Sequence, residues 1–315
     1  MRVVAGILAL ALAASVQAQQ FPSRTVRFIS GVTPGAASDT MARIVAEKLS
    51  PILGQPVIVE NRLGAGGLVG AKWVAEQAEP DGHTIMMYAS AFTVSTLLIP
   101  GMLDPKELQA VATVATIPTV MITPPGKYKT LQDFVAAAKA EPGKIVCADA
   151  GVGSATHMAF ERFRFSAGFE ALNVHTKGPG EALTEVISGR ADCYFALVFQ
   201  AQKMREAGKV GALVLSGPKR SALMPDLPTT EEAGYPNSAY NFWIGALVPA
   251  RTPRPIVERL HKEITALVES PDVSGQIKKL GADPLPMSIA DFEAMINREL
   301  KENAELIKKA GIKAN

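Results

Sequence analysis

Apolar and polar positions along the chain switch repeatedly between a period of two and a period near 3.6, the mark of alternating strands and helices. A β-branched and aromatic run at 25–30 reads as a strand, followed by a Gly-containing turn at 32–37. Met41, Ile44, Val45, Leu49 and Leu53 then recur at helical spacing until Gly54 stops them. Residues 56–60 form the next strand, Gly64, Gly66, Gly67 and Gly70 lead into a helix through Glu76, and Asp81-Gly82 turns the chain into a strand at 83–88. This βαβαβ order with short loops predicts a parallel sheet with helices on both faces.

Pro124-Pro125-Gly126 breaks the pattern, and a second alternating set follows. Thr130 and Asp133 have the spacing of a capping box for a helix through Ala140. Strands are expected at 144–148, 171–175, 191–199 and 211–215, with helices at 156–165 and 181–188. After a strand near 240–255, two amphipathic helices close the chain. One carries Ile256, Leu260, Ile264 and Leu267. The other starts at Ser288, with Asp291 three residues on, and carries Phe292, Met295, Ile296, Leu300 and Ile307. The expected fold is α/β: two doubly wound α/β domains joined by a two-crossing hinge, with a cleft between them. Domain 1 is assigned 19–122 plus 246–315 and domain 2 is assigned 123–245, with hinges near 122–124 and 241–246.

The first residues change the picture of where the chain works. Met1-Arg2 precedes fourteen uncharged residues, and Val16-Gln17-Ala18 offers a small-residue cleavage site. Residues 1–18 read as a signal peptide cleaved after Ala18, because the run is shorter than the ~20 residues that cross a bilayer. An exported protein has little access to ATP or NAD, and no cofactor is expected. With 32 basic and 30 acidic residues in 315, the formal charge of +2 leaves no excess for a phosphate backbone, so no nucleic-acid partner is expected. His83, His157, His175 and His261 are scattered without an i,i+4 pair, which argues against a zinc site. Cys147 and Cys193 both lie in apolar strand-like runs, and either a disulfide or two buried thiols fits that placement.

Gly64-x-Gly66-x-x-x-Gly70 departs from the dinucleotide fingerprint, and no acidic residue closes the following strand. Two other turns carry more. Pro34-Gly35-Ala36-Ala37-Ser38-Asp39 and Gly151-x-Gly153-Ser154 each follow a strand and open a helix. Main-chain amides at a helix start, with about half a positive charge, suit a carboxylate or phosphate. Ser38, Ser154 and Thr156 add hydroxyls, although ordinary capping by Ser and Asp explains each turn taken alone. Ser154, His157 and Asp149 are near in sequence, but without a G-x-S-x-G elbow a secreted hydrolase is the weaker alternative. Tyr240, Phe242 and Trp243 are core residues by default and cleft-lining residues at most.

Phe21-Pro22-Ser23-Arg24, Thr33 to Asp39, Leu53-Gly54-Gln55-Pro56, Val59-Glu60-Asn61-Arg62, Gly64-Ala65-Gly66-Gly67 and Pro80-Asp81-Gly82 occur in this order. Gly153-Ser154 with His157, Lys177-Gly178, Leu227-Pro228-Thr229, Glu232-Ala233-Gly234-Tyr235-Pro236 and Ala310-Gly311-Ile312 follow. With these motifs the chain resembles the Bug (TctC-like) substrate-binding receptors of tripartite tricarboxylate transporters, across essentially all of residues 21–315. The resemblance implies a monomeric periplasmic receptor of the type II binding-protein fold and no enzymatic activity. Such a receptor closes on a small carboxylate and delivers it to integral membrane permease subunits. By position, ligand contacts would come from Thr33, Pro34, Gly35, Ala36, Ser38, Asp39, Ser90 and Ala91 in the first domain. Gly153, Ser154, His157, Thr176, Lys177 and Gly178 would supply the second. A sensor that presents its bound carboxylate to a membrane signalling partner would bind identically.

Four positions depart from the family pattern. Ala36 stands where a second Gly is usual, Thr176 where Tyr is frequent, Ala196-Leu197 where an Asp is common, and Arg251 where Gly is usual. The loss of an aromatic and an acidic group disfavours an ammonium-bearing ligand. An aliphatic dicarboxylate and an aromatic carboxylate both remain compatible.

Overall fold

The computed structural model describes residues 21–314. The leader assigned to 1–18 lies outside these residues. Among the described residues eleven strands form two sheets, one of order β11-β4-β10-β3-β1-β2 and one of order β7-β6-β8-β5-β9. The first uses β1 (Val26–Ser30), β2 (Val57–Asn61), β3 (Thr84–Ala89), β4 (Leu108–Thr116), β10 (Trp243–Pro249) and β11 (Asp283–Pro284). The second uses β5 (Thr119–Thr123), β6 (Val146–Asp149), β7 (Leu172–His175), β8 (Cys193–Leu197) and β9 (Gly211–Ser216).

The helices of the first lobe are α1 (Ala37–Leu53), α2 (Leu68–Gln77), α3 (Ala91–Leu98), α8 (Arg254–Glu269), α9 (Pro271–Lys279) and α10 (Ile289–Ala310). Those of the second are α4 (Leu131–Ala140), α5 (Ala155–Ala167), α6 (Pro179–Ile187) and α7 (Val198–Glu206). Among the described residues no helix is long and apolar enough to cross a membrane.

The βαβ pattern holds where it was read. β1 pairs in parallel with β2 and β3, and β6 with β7 and β8. Each sheet is nevertheless mixed, because β10 runs antiparallel to β3 and β4, and β5 runs antiparallel to β8 and β9. These are the strands beside which the chain changes sheet. Ile117-Pro118 links β4 directly to β5, so β5 belongs to the second sheet and the sequence boundary after 122 falls one strand late. β10 belongs wholly to the first sheet, so the return crossing ends before Trp243 instead of at 246. Pro124-Pro125-Gly126 is a loop within the second lobe. The two crossings lie side by side: the Ile117 amide donates to the Phe242 carbonyl at 2.9 Å, and the Thr116 hydroxyl donates to Asn241 Oδ1 at 2.7 Å.

Each lobe has its own apolar core. Phe28, Ile29, Leu49, Val111, Ile264 and Phe292 are fully or almost fully buried in the first. The second sheet has one cluster with Phe134, Phe160, Phe163 and Phe195 and another with Val120, Ile122, Tyr194 and Val198. Val94 of α3 and Leu306 of α10 pack into the former, so elements of the first lobe reach the core of the second. Cys147 and Cys193 face each other in register on β6 and β8, buried and bonded as a disulfide with Cα atoms 4.6 Å apart. The capping box read at Thr130 and Asp133 is present, and Ser288 caps α10 by accepting the Asp291 amide.

Candidate functional site

The β1–α1 turn is built around Asp39. This fully buried carboxylate accepts the Gly35 amide (2.8 Å), two nitrogens of Arg43 (2.9 and 3.1 Å) and Asn61 Nδ2 (2.7 Å). Burial works against its charge, but Arg43, Gly35 and Asn61 outweigh it and hold the carboxyl below the usual carboxylate range. Asn61 also donates to the Val32 carbonyl at 2.9 Å, pinning the far side of the same turn. Asp39 is therefore saturated by the protein. It tethers the turn and has no lone pair left for a ligand.

What the turn presents is main chain. Ala36 occupies the N-cap of α1 with extended dihedrals (φ −67°, ψ 162°) and offers no side-chain cap. The amides of Ala37, Ser38 and Asp39 precede the first intrahelical donor, the Thr40 amide, and the 17-residue helix adds its dipole behind them. Thr33, Pro34 and Gly35 are exposed beside this end, whereas the Ser38 side chain is buried.

The β6–α5 turn is organised differently. Ser154 caps α5, its Oγ accepting the His157 amide at 3.2 Å and lying 3.0 Å from Thr156 Oγ1. Thr156 Oγ1 in turn accepts the Ala150 amide at 2.9 Å. The ring of His157 folds back so that Nδ1 accepts the Gly153 amide at 3.1 Å. Burial pushes His157 down to about 4, which keeps it a neutral acceptor at neutral pH. Gly153 has φ +74°, and a methyl group there would come within 2.8 Å of Leu98 and 3.1 Å of Val94. The turn thus lies against Val94 and Leu98 of α3, the helix that begins at Ala91.

Ser90 is completely buried; its amide donates to the Trp243 carbonyl (3.0 Å) and its Oγ accepts from the Tyr240 hydroxyl (3.0 Å). It joins β3 to the return crossing. Ala91, half-buried, opens α3 beside it. Thr176 donates its amide to the Asp149 carbonyl at 3.1 Å, and its hydroxyl lies 2.7 Å from that carbonyl and 2.9 Å from the carbonyl of Gly178. The Lys177 amide donates to Glu181 at 2.9 Å while its side chain is exposed. Gly178 then caps α6 in extended form ahead of Pro179. Of the departing positions, Ala196 is buried in the core of the second sheet, while Leu197 is half-buried and packs toward the core of the first lobe. Arg251 is exposed just beyond β10.

Two functional alternatives can be tested on this geometry. Asp149 pairs with His175 Nδ1 at 2.8 Å, not with His157, and Ser154 engages the main chain of His157, so the three residues do not form a nucleophilic triad. Polar atoms of Asp149, His157 and His175 also lie within 4.8 Å of one another, beside a cavity of about 320 Å³ lined partly by Glu161 and Asn173. Metal ligation needs free lone pairs. His157 spends that of Nδ1 on Gly153, which leaves the proton on Nε2, and His175 Nδ1 faces Asp149. Only His175 Nε2 remains as a nitrogen donor, too few for a metal site.

Sequence reading missed the residues that shape the turns. Asn61 and the Asp149–His175 pair act through partners distant in the chain, whereas Arg43 reaches Asp39 one helical turn away. The Asn61-Arg62 pair closing β2 was the one available hint for the first of these.

The profile of the tripartite tricarboxylate transporter family receptor (TctC) matches residues 41–312. Protein BugT of Bordetella pertussis is 30% identical over 307 residues, covering 96% of this chain and 94% of its own. A Rhodopseudomonas palustris protein solved with adipate superposes with a TM-score of 0.80 at 26% identity, covering 93% of this chain and 99% of that one. MatC from the same organism, solved with bound malate, gives a TM-score of 0.76 at 28% identity, with coverages of 91% and 100%. The chain belongs to the TctC family of tripartite tricarboxylate transporter receptors and is a periplasmic solute-binding protein of that family.

Proposed function

We propose that the protein is exported by removal of residues 1–18, captures a small carboxylate between its lobes and delivers it to the integral membrane subunits of a tripartite transporter. The observation that carries this reading is the uncapped start of α1, where three main-chain amides and a helix dipole are left for an anion. From the second lobe, the first-turn amides of α5 and α6 would add further main-chain donors, since those of Gly153, Thr176, Lys177 and Gly178 are bonded within the protein. Each charge-assisted hydrogen bond to a carboxylate would contribute roughly 1.5–3 kcal/mol. Amide donors suit a carboxylate without demanding a basic surface, in keeping with the near-neutral chain.

The adipate and malate bound by two relatives favour an aliphatic dicarboxylate over an aromatic acid here. Thermal-shift measurements with adipate, malate, benzoate and glutamate test the reading. A dicarboxylate should raise the melting temperature by mass action on the native state, and glutamate should not. A shift with sugars or cations alone would refute it.

A further inference from the structure

β7 is the edge strand of the second sheet and pairs with β6. Side chains alternate across it, and on one face Leu172 and Val174 are 57% and 41% exposed, so burial does little to fix the strand from that side. The other face carries two polar anchors. Asn173 Nδ2 donates to buried Glu161 of α5 at 2.6 Å, and His175 Nδ1 donates to Asp149 Oδ2 at 2.8 Å. His175 is the last residue of β7, and the segment 176–178 leads from it into α6. The course of that segment therefore depends on a hydrogen bond more than on apolar packing.

Asp149 is 1% exposed and bonds in three directions from the end of β6. Its Oδ1 accepts the Gly151 amide at 2.8 Å, and its Oδ2 takes His175. Its main-chain carbonyl accepts the Thr176 amide at 3.1 Å and the Thr176 hydroxyl at 2.7 Å. The Gly151 carbonyl in turn accepts the amide of Ser154, the N-cap of α5, at 3.1 Å. One carboxylate thus holds both segments that lead into α5 and α6. A parallel tie exists in the first lobe, where Asp39 joins Gly35 of the β1–α1 turn to Asn61 at the end of β2, the edge strand of that sheet.

We propose that Asp149 and His175 form one positioning unit for the second-lobe half of the site: the bond from His175 Nδ1 to Asp149 couples the β6–α5 turn to the segment 176–178, so that ordering either one sets the direction of the other. The role in binding rests on the carboxylate reading, whereas the coupling itself does not. Asp149 has both carboxylate oxygens engaged by the protein and acts through these partners alone. A second route between the same segments is the edge-on contact of the His157 and His175 rings, whose centroids are 5 Å apart to the nearest ångström (4.9 Å), because His157 holds the Gly153 amide. Substitution at His175 separates the two routes.

His175→Asn keeps a side-chain N–H within reach of Asp149 and removes the ring. His175→Phe keeps a ring and removes the N–H. The His175 side chain is 33% exposed, so both variants should fold with Asp149 left in place. Amide hydrogen exchange of the unliganded protein, read by mass spectrometry, reports on both segments. The amides of Gly151, Gly153 and Ser154 and those of Thr176, Lys177 and Gly178 are all hydrogen-bonded. Exchange in α4, normalised against the wild type, separates local loosening from a general loss of stability.

His175→Phe should speed exchange over both 151–154 and 176–178, and His175→Asn should leave both near the wild type. No change in His175→Phe, a change confined to 176–178, or faster exchange in His175→Asn would each overturn the coupling. In calorimetric titration with adipate or malate, affinity should fall about tenfold in His175→Phe and change by less than about twofold in His175→Asn. Undiminished affinity in His175→Phe would overturn the positioning role. A wild type that binds neither acid would instead count against the carboxylate reading, with the exchange result still deciding the coupling.

Discussion

The imidazole Nδ1 of His157 accepts the amide of Gly153 at 3.1 Å, so this histidine fixes the β6–α5 turn from behind. Burial holds it near 4, well below the 6.5 of a free imidazole. Between those values the unfolded chain binds a proton that the native protein refuses. The contribution is complete above about 6.5 and is lost as pH falls toward 4, amounting to about 3 kcal/mol. Urea unfolding at intervals across this window should show the decline in the wild type and a flatter profile in His157→Asn, which retains an acceptor for Gly153. His157→Ala leaves the Gly153 amide unpaired and should cost about 1–3 kcal/mol at neutral pH.

Asp39 does for the first turn what His157 does for the second. Asp39→Ala releases Gly35, Arg43 and Asn61 together. Arg43 is half-exposed, which limits the loss of its ion pair, so the expected destabilisation is about 1–3 kcal/mol by chemical denaturation. The larger effect should be on carboxylate affinity by titration calorimetry, because the amides of residues 37–39 lose their fixed direction. Equal affinity in Asp39→Ala would mean that the tether is irrelevant to binding.

The disulfide closes a loop between residues 46 apart in sequence. The chain-entropy argument assigns such a crosslink about 4 kcal/mol. Cys147→Ala with Cys193→Ala should therefore lower stability by about that amount while leaving carboxylate affinity nearly unchanged, because both side chains are fully buried within the second sheet. A loss of affinity at temperatures where the variant remains folded would show that the crosslink shapes the site.

Local chemistry explains which parts of this molecule were legible in its sequence. Thr130 with Asp133 and Ser288 with Asp291 mark helix starts by contacts three residues long, and both helices begin there. The crossing at Ile117-Pro118 was hidden because β-branched runs flank it on both sides, with one proline as punctuation. α3 was missed for a related reason: Phe92, Val94, Leu97 and Leu98 give little contrast between faces. The two helix-start turns were visible through their glycines, but the role of Asp39 was not. Its carboxylate is adjacent to the proposed anion contacts in sequence, yet Asn61, 22 residues away, helps to occupy it.

The central claim is that the bare start of α1 is the anion site, and Ala36 tests it most directly. Ala36→Asp places a capping carboxylate on the free amides, at an N-cap whose extended dihedrals already suit it. The unliganded variant should be more stable by about 1 kcal/mol, as capping predicts. Thermal-shift measurements with adipate and malate on both proteins then decide. The account predicts a clear rise in the wild-type melting temperature with at least one of them and none in Ala36→Asp; a rise of the same size in the variant would contradict it.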